Sequence, residues 1–168
     1  ELVKLDKAAA ELNISVVNIN ELTEVILKTL RPIARKNNVE VTLISKREIL
    51  AEVDKVKMSQ IITNLVENAI KYNREQGKVE VTLDADHQFF TVQVEDTGIG
   101  IPAEAISQIY ERFYRVDKSH SREIGGTGLG LAITRSAVLL HRGSIKVESR
   151  ENEGTTFTVK IPLTRSLT

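Results

Sequence analysis

Strand-like alternation occurs in this sequence in neighbouring pairs, and helical periodicity falls between the pairs. Residues 39–44 and 47–53 alternate apolar and polar side chains, and the second run is expected to lie antiparallel to the first. Residues 78–83 and 89–95 alternate around the turn Asp84, Ala85, Asp86, which predicts a hairpin. Residues 144–149 and 155–161 close the chain as a third pair. Single strands alternating with helices would build a doubly wound parallel sheet, and paired strands do not. The expected fold is therefore α+β: a two-layer sandwich of a mixed, mainly antiparallel sheet covered on one face by helices. Thr82, Gln93, Lys146 and Lys160 would occupy the opposite, mostly solvated face.

The helices have readable ends. Leu2, Leu5, Ala9 and Leu12 form a short stripe broken by Asn13 and Ser15, so residues 1–19 read as the tail of a preceding helix plus a linker. The pattern starts without a methionine, as in a fragment. Asn20 is the expected N-cap of a helix with Leu22, Val25, Ile26, Thr29, Leu30 and Ile33 on its inner face. Pro32 should loosen that helix, and Asn37 and Asn38 should end it. Asp54 caps the next helix, which runs through Tyr72. A last helix over 129–141 turns Ala132, Ile133, Ala137 and Leu140 inward and stops at Gly143. Between 94 and 130 lies a long irregular stretch, Gly-rich at both ends, which suits a functional lid. Pro102 fits the start of a short helix over 103–110 within it.

Composition removes several classes of function. A chain of 168 residues with 41% hydrophobic content can bury one sizeable core. Lys plus Arg and Asp plus Glu balance at 23 each, so no nucleic-acid partner and no membrane contact is expected. The absence of cysteine excludes disulfides, thiolate metal sites and cysteine nucleophiles. His87 in a turn, His120 in the lid and His141 at a helix end are too scattered for a histidine metal site. No apolar run approaches the length of a membrane span, and the start lacks the regions of a signal peptide.

Three segments carry chemistry. On the helix over 60–72, Ile61, Ile62, Leu65, Val66, Ala69 and Ile70 mark the core face, while Gln60, Asn64, Asn68 and Lys71 form a second, polar stripe. Amide oxygens and an ammonium suit a hydrated hard cation and phosphate oxygens; a solvated helix face would look the same. In GGTGLG, residues 125–130, glycines let backbone approach a ligand and then feed a helix start, which is a phosphate cradle or else a hinge. It is neither a Walker A loop nor a dinucleotide fingerprint. In DTGIG, residues 96–100, Asp96 follows a strand and can accept from an exocyclic amine, favouring adenine, or simply close an Asx turn. An aspartic-protease reading of the same triplet conflicts with the long helices. A protein-binding module with the lid as interface remains open at this point.

Taken in order, NLVENAIKY, DTGIGIP, ERFYRVDKSHS, GGTGLGLAI and EGTTFTVKIP resemble the N, G1, F and G2 boxes and closing strand of bacterial sensor histidine kinases. The likeness is to their catalytic ATP-binding domain, of the Bergerat fold shared with gyrase, the Hsp90 chaperones and the MutL proteins, over residues 20–163.

The resemblance implies the following. Asn68 coordinates Mg²⁺, with Asn64 supporting metal and phosphates. Lys71 meets phosphate oxygens and Tyr72 lines the nucleotide. Asp96 accepts the adenine amine, Gly98 and Gly100 admit the base, and Ile101 packs on it. Arg115 reaches the γ-phosphate from the lid, with Phe113 and Tyr114 as lid anchors and Lys118 and Arg122 as further basic lid residues. Gly126, Thr127, Gly128, Leu129 and Gly130 wrap the phosphates, Leu131 lies on the adenine side, and Thr155 reaches the base through water. The catalytic set is Asn68, Lys71 and Arg115, and the cofactors are ATP and Mg²⁺. Residues 1–19 would end a dimerisation helix, 20–168 would form the ATP-binding domain, and the lid would cover about 101–126.

Gyrase-like ATPases carry a Glu as general base where Asn64 stands. An amide cannot take up a proton at neutral pH, so the chain is expected to hold ATP rather than hydrolyse it. Glu67 lies about 60° off the polar stripe by helix geometry and receives no role. None of the three histidines suits the acceptor. The implied function is γ-phosphoryl transfer to a histidine on a separate dimerisation domain within two-component signal transduction. The implied partners are that domain and a response regulator. The implied setting is cytoplasmic, within a homodimeric, membrane-anchored parent.

Overall fold

A computed structural model of the chain describes residues 12–110 and 130–165. Two sheets and three helices make up the described fold. Strand β1 (Ile14–Asn18) leads into helix α1 (Ile19–Lys36), followed by β2 (Glu40–Ser45), β3 (Leu50–Asp54) and helix α2 (Lys55–Lys71). The hairpin β4 (Lys78–Ala85) and β5 (Phe89–Asp96) comes next, then a 3₁₀ turn over Ala103–Gln108 just after Pro102. Helix α3 (Gly130–Leu140) and the hairpin β6 (Ser144–Arg150) and β7 (Gly154–Pro162) complete the order. The main sheet has the strand order β2-β4-β5-β7-β6.

The mixed, mainly antiparallel sheet expected from the paired strands is present, and β2 supplies its one parallel pairing, to β4. The expected pairing of 39–44 with 47–53 is wrong. Strand β3 instead pairs antiparallel with β1 in a separate two-stranded sheet, Ile14 opposite Asp54 and Asn18 opposite Leu50. The link from β2 to β3 is held by α1 rather than closed as a hairpin. Asn20 donates from Nδ2 to the Arg47 carbonyl at 2.9 Å and accepts the Ile49 amide at 2.7 Å, while the Ile19 amide donates to the Ile49 carbonyl at 2.9 Å. Asn20 is therefore not the N-cap of α1. Asn18 is, with Oδ1 accepting the Glu21 amide at 3.0 Å. Residues 14–18, expected as linker, fold with the domain.

On the far flank of β3, the Glu52 amide donates to the Leu163 carbonyl at 2.8 Å, and Glu52 Oε1 accepts the Arg165 amide at 2.8 Å.

Helix α1 runs unbroken through Pro32 and buries Ile19, Leu22, Thr23, Ile26, Leu27, Leu30 and Ala34. Its inner face is rotated from the expected one, so Val25 and Ile33 are 63% and 42% exposed. Thr23 can be buried because its hydroxyl donates to the Ile19 carbonyl at 2.8 Å. Helix α2 buries Met58, Ile61, Ile62, Leu65, Val66, Ala69 and Ile70 against β4, β5 and the other helices. Their facing partners are Val79, Val81, Leu83, Phe90, Val92 and Val94 of the sheet, each at most 1% exposed. In α3 the inward residues are Thr134, Ala137, Val138 and Leu140. Ala137 and Leu140 were expected there; Ile133 was too, and it is exposed. On the other sheet face Lys146 and Lys160 are exposed and Thr82 and Gln93 half-buried, as a mostly solvated face requires.

Candidate functional site

Because its apolar face is fixed in the core, α2 presents its polar stripe at a defined height. Asn64 is half-buried and donates from Nδ2 to the Gly130 carbonyl at 3.3 Å, the point where α3 begins. That carbonyl also accepts the Thr134 hydroxyl at 2.7 Å. With its nitrogen so engaged, Asn64 keeps its oxygen as an acceptor or metal donor. Asn68, one turn further, is half-buried and its side chain makes no hydrogen bond among the described residues. The Lys71 ammonium lies 5.7 Å from the centre of the Tyr72 ring. Tyr72 ends the helix, and its carbonyl accepts the Ile99 amide at 3.0 Å. The stripe thus touches the start of α3 near its middle and the DTGIG turn at its end.

The DTGIG turn is built around Asp96. Its Oδ1 accepts the Gly98 amide at 2.8 Å, which is an Asx turn, and the Thr155 amide of β7 at 3.2 Å. Oδ1 thus closes the turn as an Asx residue does, and Oδ2 takes no hydrogen bond among the described residues. Burial raises the carboxyl pKa to about 6, against the two amides that lower it, and the neighbouring Glu95 charge adds to the rise. Gly98 has no room for a side chain, since a Cβ would strike the Tyr72 carbonyl and sit 2.9 Å from Asp96 Oδ1. Gly100 adopts φ of 73° with the Arg150 carbonyl where a Cβ would be.

Ile101 is 7% exposed and its amide donates to Ser149 Oγ at 2.7 Å; that hydroxyl lies 2.8 Å from Thr155 Oγ1.

Four residues that the sequence did not single out hold this turn. Asn73 is buried, donates from Nδ2 to the Lys78 carbonyl at 3.0 Å and accepts the Thr97 hydroxyl at 3.3 Å. Arg74 donates from one Nη2 to the Gly98 carbonyl at 2.9 Å and the Asn152 carbonyl at 2.6 Å. The Asn152 amide in turn donates to the Ile99 carbonyl at 2.6 Å, and Ser149 couples Ile101 to Thr155. Their common signal is weak, because all four bond to backbone carbonyls, which any residue type supplies.

Two groups of expected site residues are thus each brought together. Asn64, Asn68, Lys71 and Tyr72 share one helix edge with Gly130 and the half-buried Leu131, while Asp96, Gly98, Gly100, Ile101 and Thr155 share the turn beyond Tyr72. Arg115, Gly126, Thr127, Gly128 and Leu129 lie outside the described residues, as do Phe113, Tyr114, Lys118, His120 and Arg122. Glu67 is exposed. Among the described residues no cluster of His, Cys, Asp or Glu could hold a metal, and the oxygens that the polar stripe offers to a cation are those of amides. The oxygens of Asn64 and Asn68 take no hydrogen bond among the described residues, and two amide oxygens suit the few protein contacts of a hydrated Mg²⁺.

Residues 53–165 match the model of the histidine kinase-, DNA gyrase B- and HSP90-like ATPases. The chain is 37% identical over 164 residues to the sensor protein kinase WalK of Staphylococcus epidermidis and 35% identical to that of Staphylococcus aureus. Both alignments cover 96% of this chain but 27% of the relative, so the chain spans about a quarter of those proteins. Among solved structures, a nucleotide-free catalytic domain of the histidine kinase ThkA superposes with TM-score 0.80 at 32% identity, over 91% of this chain and 97% of that one. Full-length ShkA in complex with AMPPNP superposes with TM-score 0.82 at 27% identity, over 98% of this chain and 34% of that one. The chain belongs to the histidine kinase-, DNA gyrase B- and HSP90-like ATPase family, as the ATP-binding catalytic domain of a sensor histidine kinase.

Proposed function

We propose that this domain binds Mg·ATP along α2 and donates the γ-phosphoryl group to a histidine on a separate dimerisation domain of its parent protein. One arrangement supports the reading above all: α2 reaches the start of α3 through Asn64 and the Asp96 turn through Tyr72, so its polar stripe joins two glycine segments. Adenine fits the turn end. The open oxygen Oδ2 of Asp96 accepts the exocyclic amine, Gly98 and Gly100 let the turn close against the Tyr72 and Arg150 carbonyls and so fix that oxygen rather than admit the base themselves, and Ile101 supplies an apolar wall. Thr155, whose amide already binds Asp96, contacts the base through water.

The phosphates fit the other end. Lys71 meets their oxygens, and the amides of Gly126 to Gly130 together with the positive end of α3 cradle them, with Leu131 flanking the adenine side. Asn68, supported by Asn64, would hold Mg²⁺, which would supply charge neutralisation for the transferring group. Arg115 reaches the γ-phosphate from a lid over 101–126. Asn64 stands where gyrase-like ATPases use a general base, so water is not activated and the nucleotide waits for its acceptor. Transfer then relies on positioning and charge neutralisation. The acceptor comes from a preceding dimerisation domain, whose end lies within 1–19. The phosphoryl group passes on to a response regulator, in a homodimeric, membrane-anchored parent with this domain on the cytoplasmic side.

Calorimetric titration of AMPPNP with and without Mg²⁺ tests the binding site. Incubation of the domain with labelled ATP and a histidine-bearing dimerisation domain tests the transfer. Acid-labile label on that acceptor is the expected result; label that never leaves ATP overturns the proposal.

A further inference from the structure

His141 immediately follows α3, is 1% exposed, and has both ring nitrogens committed. The Asp54 backbone amide donates to Nε2 at 3.0 Å, and Nδ1 lies 2.8 Å from the Ala137 carbonyl. An amide requires an acceptor and a carbonyl requires a donor, so the ring is neutral with its proton on Nδ1. Burial holds its pKa below the ordinary value, Arg165 and Lys57 lower it further, and the Ala137 carbonyl and Asp54 oppose them. Arg165 approaches from the tail beyond β7, where its Nη1 donates to the Leu140 carbonyl at 3.2 Å and its amide is held by Glu52 of β3. Arg142 adjoins the ring in the chain, and Asp54 and Lys57 approach from the first turn of α2.

The partner of the ring is the residue that starts α2. Asp54 is the N-cap, with Oδ1 accepting the Lys57 amide at 3.0 Å and Oδ2 accepting the Asn13 amide at 3.0 Å. At the opposite end of the helix pair, Asn64 binds the carbonyl of Gly130. At about 1.5 Å per residue, Asp54 to Asn64 on α2 and Gly130 to His141 on α3 cover nearly equal lengths, on the order of 15 Å. The two helices are therefore tied at both ends of one antiparallel contact, by an imidazole at one end and an amide at the other.

We propose that His141 is a positioning residue for nucleotide binding: by fixing the C-terminal end of α3 to the N-cap of α2, it sets the register in which Asn64 meets Gly130. This rests on the reading of that meeting point as the phosphate end of the nucleotide site. The tie acts on the phosphate end and not on the Asp96 turn, so its loss must weaken ligands in proportion to their phosphates. Protonation breaks the same tie, because Nε2–H would then face the Asp54 N–H, donor against donor.

The test compares AMPPNP with Mg²⁺ and AMP at pH 7.5, for the wild-type chain, His141→Phe and His141→Gln. The Phe variant keeps an apolar volume without the tie, and is expected to lose about tenfold in AMPPNP affinity with AMP binding unchanged. Gln, which carries both an acceptor and a donor, should recover part of that loss. Ring ¹⁵N resonances of the wild type should show the Nδ1–H tautomer. Equal losses for both ligands, no loss for either, or a proton on Nε2 overturns the inference. Should the Phe variant not fold, hydrogen exchange of the wild-type Asp54 amide decides: AMPPNP should slow it and AMP should not, and equal slowing is a refutation. A wild-type chain that does not bind AMPPNP sinks the nucleotide reading itself, whereas wild-type binding with an unaffected Phe variant sinks this inference alone.

Discussion

Replacing Asp96 by Asn should make the empty domain more stable and the nucleotide complex weaker. The carboxyl pKa rises from 3.8 to about 6 on folding, mainly through burial. At about 1.4 kcal/mol per unit this costs the ligand-free fold roughly 3 kcal/mol at neutral pH. Asn keeps an oxygen for the Gly98 and Thr155 amides, whose effect that rise already contains, but leaves the donor Nδ2 short of a partner, which returns roughly 2 kcal/mol. The net gain is about 1 kcal/mol, or roughly 2–4 °C in Tm for a chain of this size.

The native state holds the Asp96 proton more tightly than the unfolded chain does. This contribution to wild-type stability is present below pH 3.8 and lost as pH rises through about 6. The advantage of the variant should therefore vanish at about pH 5, reverse at pH 4 and level off above about pH 6. For the nucleotide the sign is opposite. Protonation falls on Oδ2, the oxygen offered to the adenine amine, so wild-type affinity should decline as pH drops below about 6. The Asn amide presents a donor there at every pH, which costs about 1–3 kcal/mol, or roughly 10- to 100-fold in affinity. Thermal melts at pH 4 and 7.5 and calorimetry with AMPPNP measure both effects. A variant with lower Tm at pH 7.5 and unchanged affinity would refute the account of this aspartate.

Asn68→Ala should abolish Mg²⁺-dependent phosphoryl transfer while altering AMP binding far less, and retained transfer in the radiolabel assay contradicts the metal assignment. Gly98→Ala drives a Cβ into the Tyr72 carbonyl and should cost about 1–3 kcal/mol in urea unfolding, together with nucleotide binding. An unchanged urea midpoint would show that the turn moves freely. Arg74→Met removes the bonds to the Gly98 and Asn152 carbonyls and should weaken AMP and AMPPNP equally, by roughly 5- to 10-fold for about 1 kcal/mol. A loss confined to AMPPNP would place Arg74 at the phosphate end instead.

Helix α2 and the two hairpins are legible in the sequence because their signals are local. Two stripes at helical spacing define α2, clean alternation defines the hairpin strands, and the turn Asp84, Ala85, Asp86 marks the first hairpin. Asp86 Oδ1 accepts the Gln88 and Phe89 amides at 2.8 Å each, as an Asx turn does. The β1–β3 sheet was hidden because its strands are five residues each, lie either side of α1, and leave Val16 and Leu50 exposed at 68% and 57%. The parallel pairing of β2 with β4 crosses over α2 and leaves no turn to read. Asn18 and Asn20 are equivalent as caps until the Arg47–Ile49 link arrives to claim Asn20. At the site, residue types such as the paired amides and the buried acid were readable. The supports were not: Arg74 works through backbone carbonyls, and His141 is a helix-end bystander until its burial is known.

Strand β3 lies between β1 on one flank and Leu163 on the other, so both extremities of the described chain are moored to the same short strand. Anything fused before Asn13 and anything fused after Arg165 would emerge side by side, from the end of the molecule where α2 begins. A short glycine bridge could join those extremities, and the ring could be reopened at the Asp86 turn with every strand kept whole.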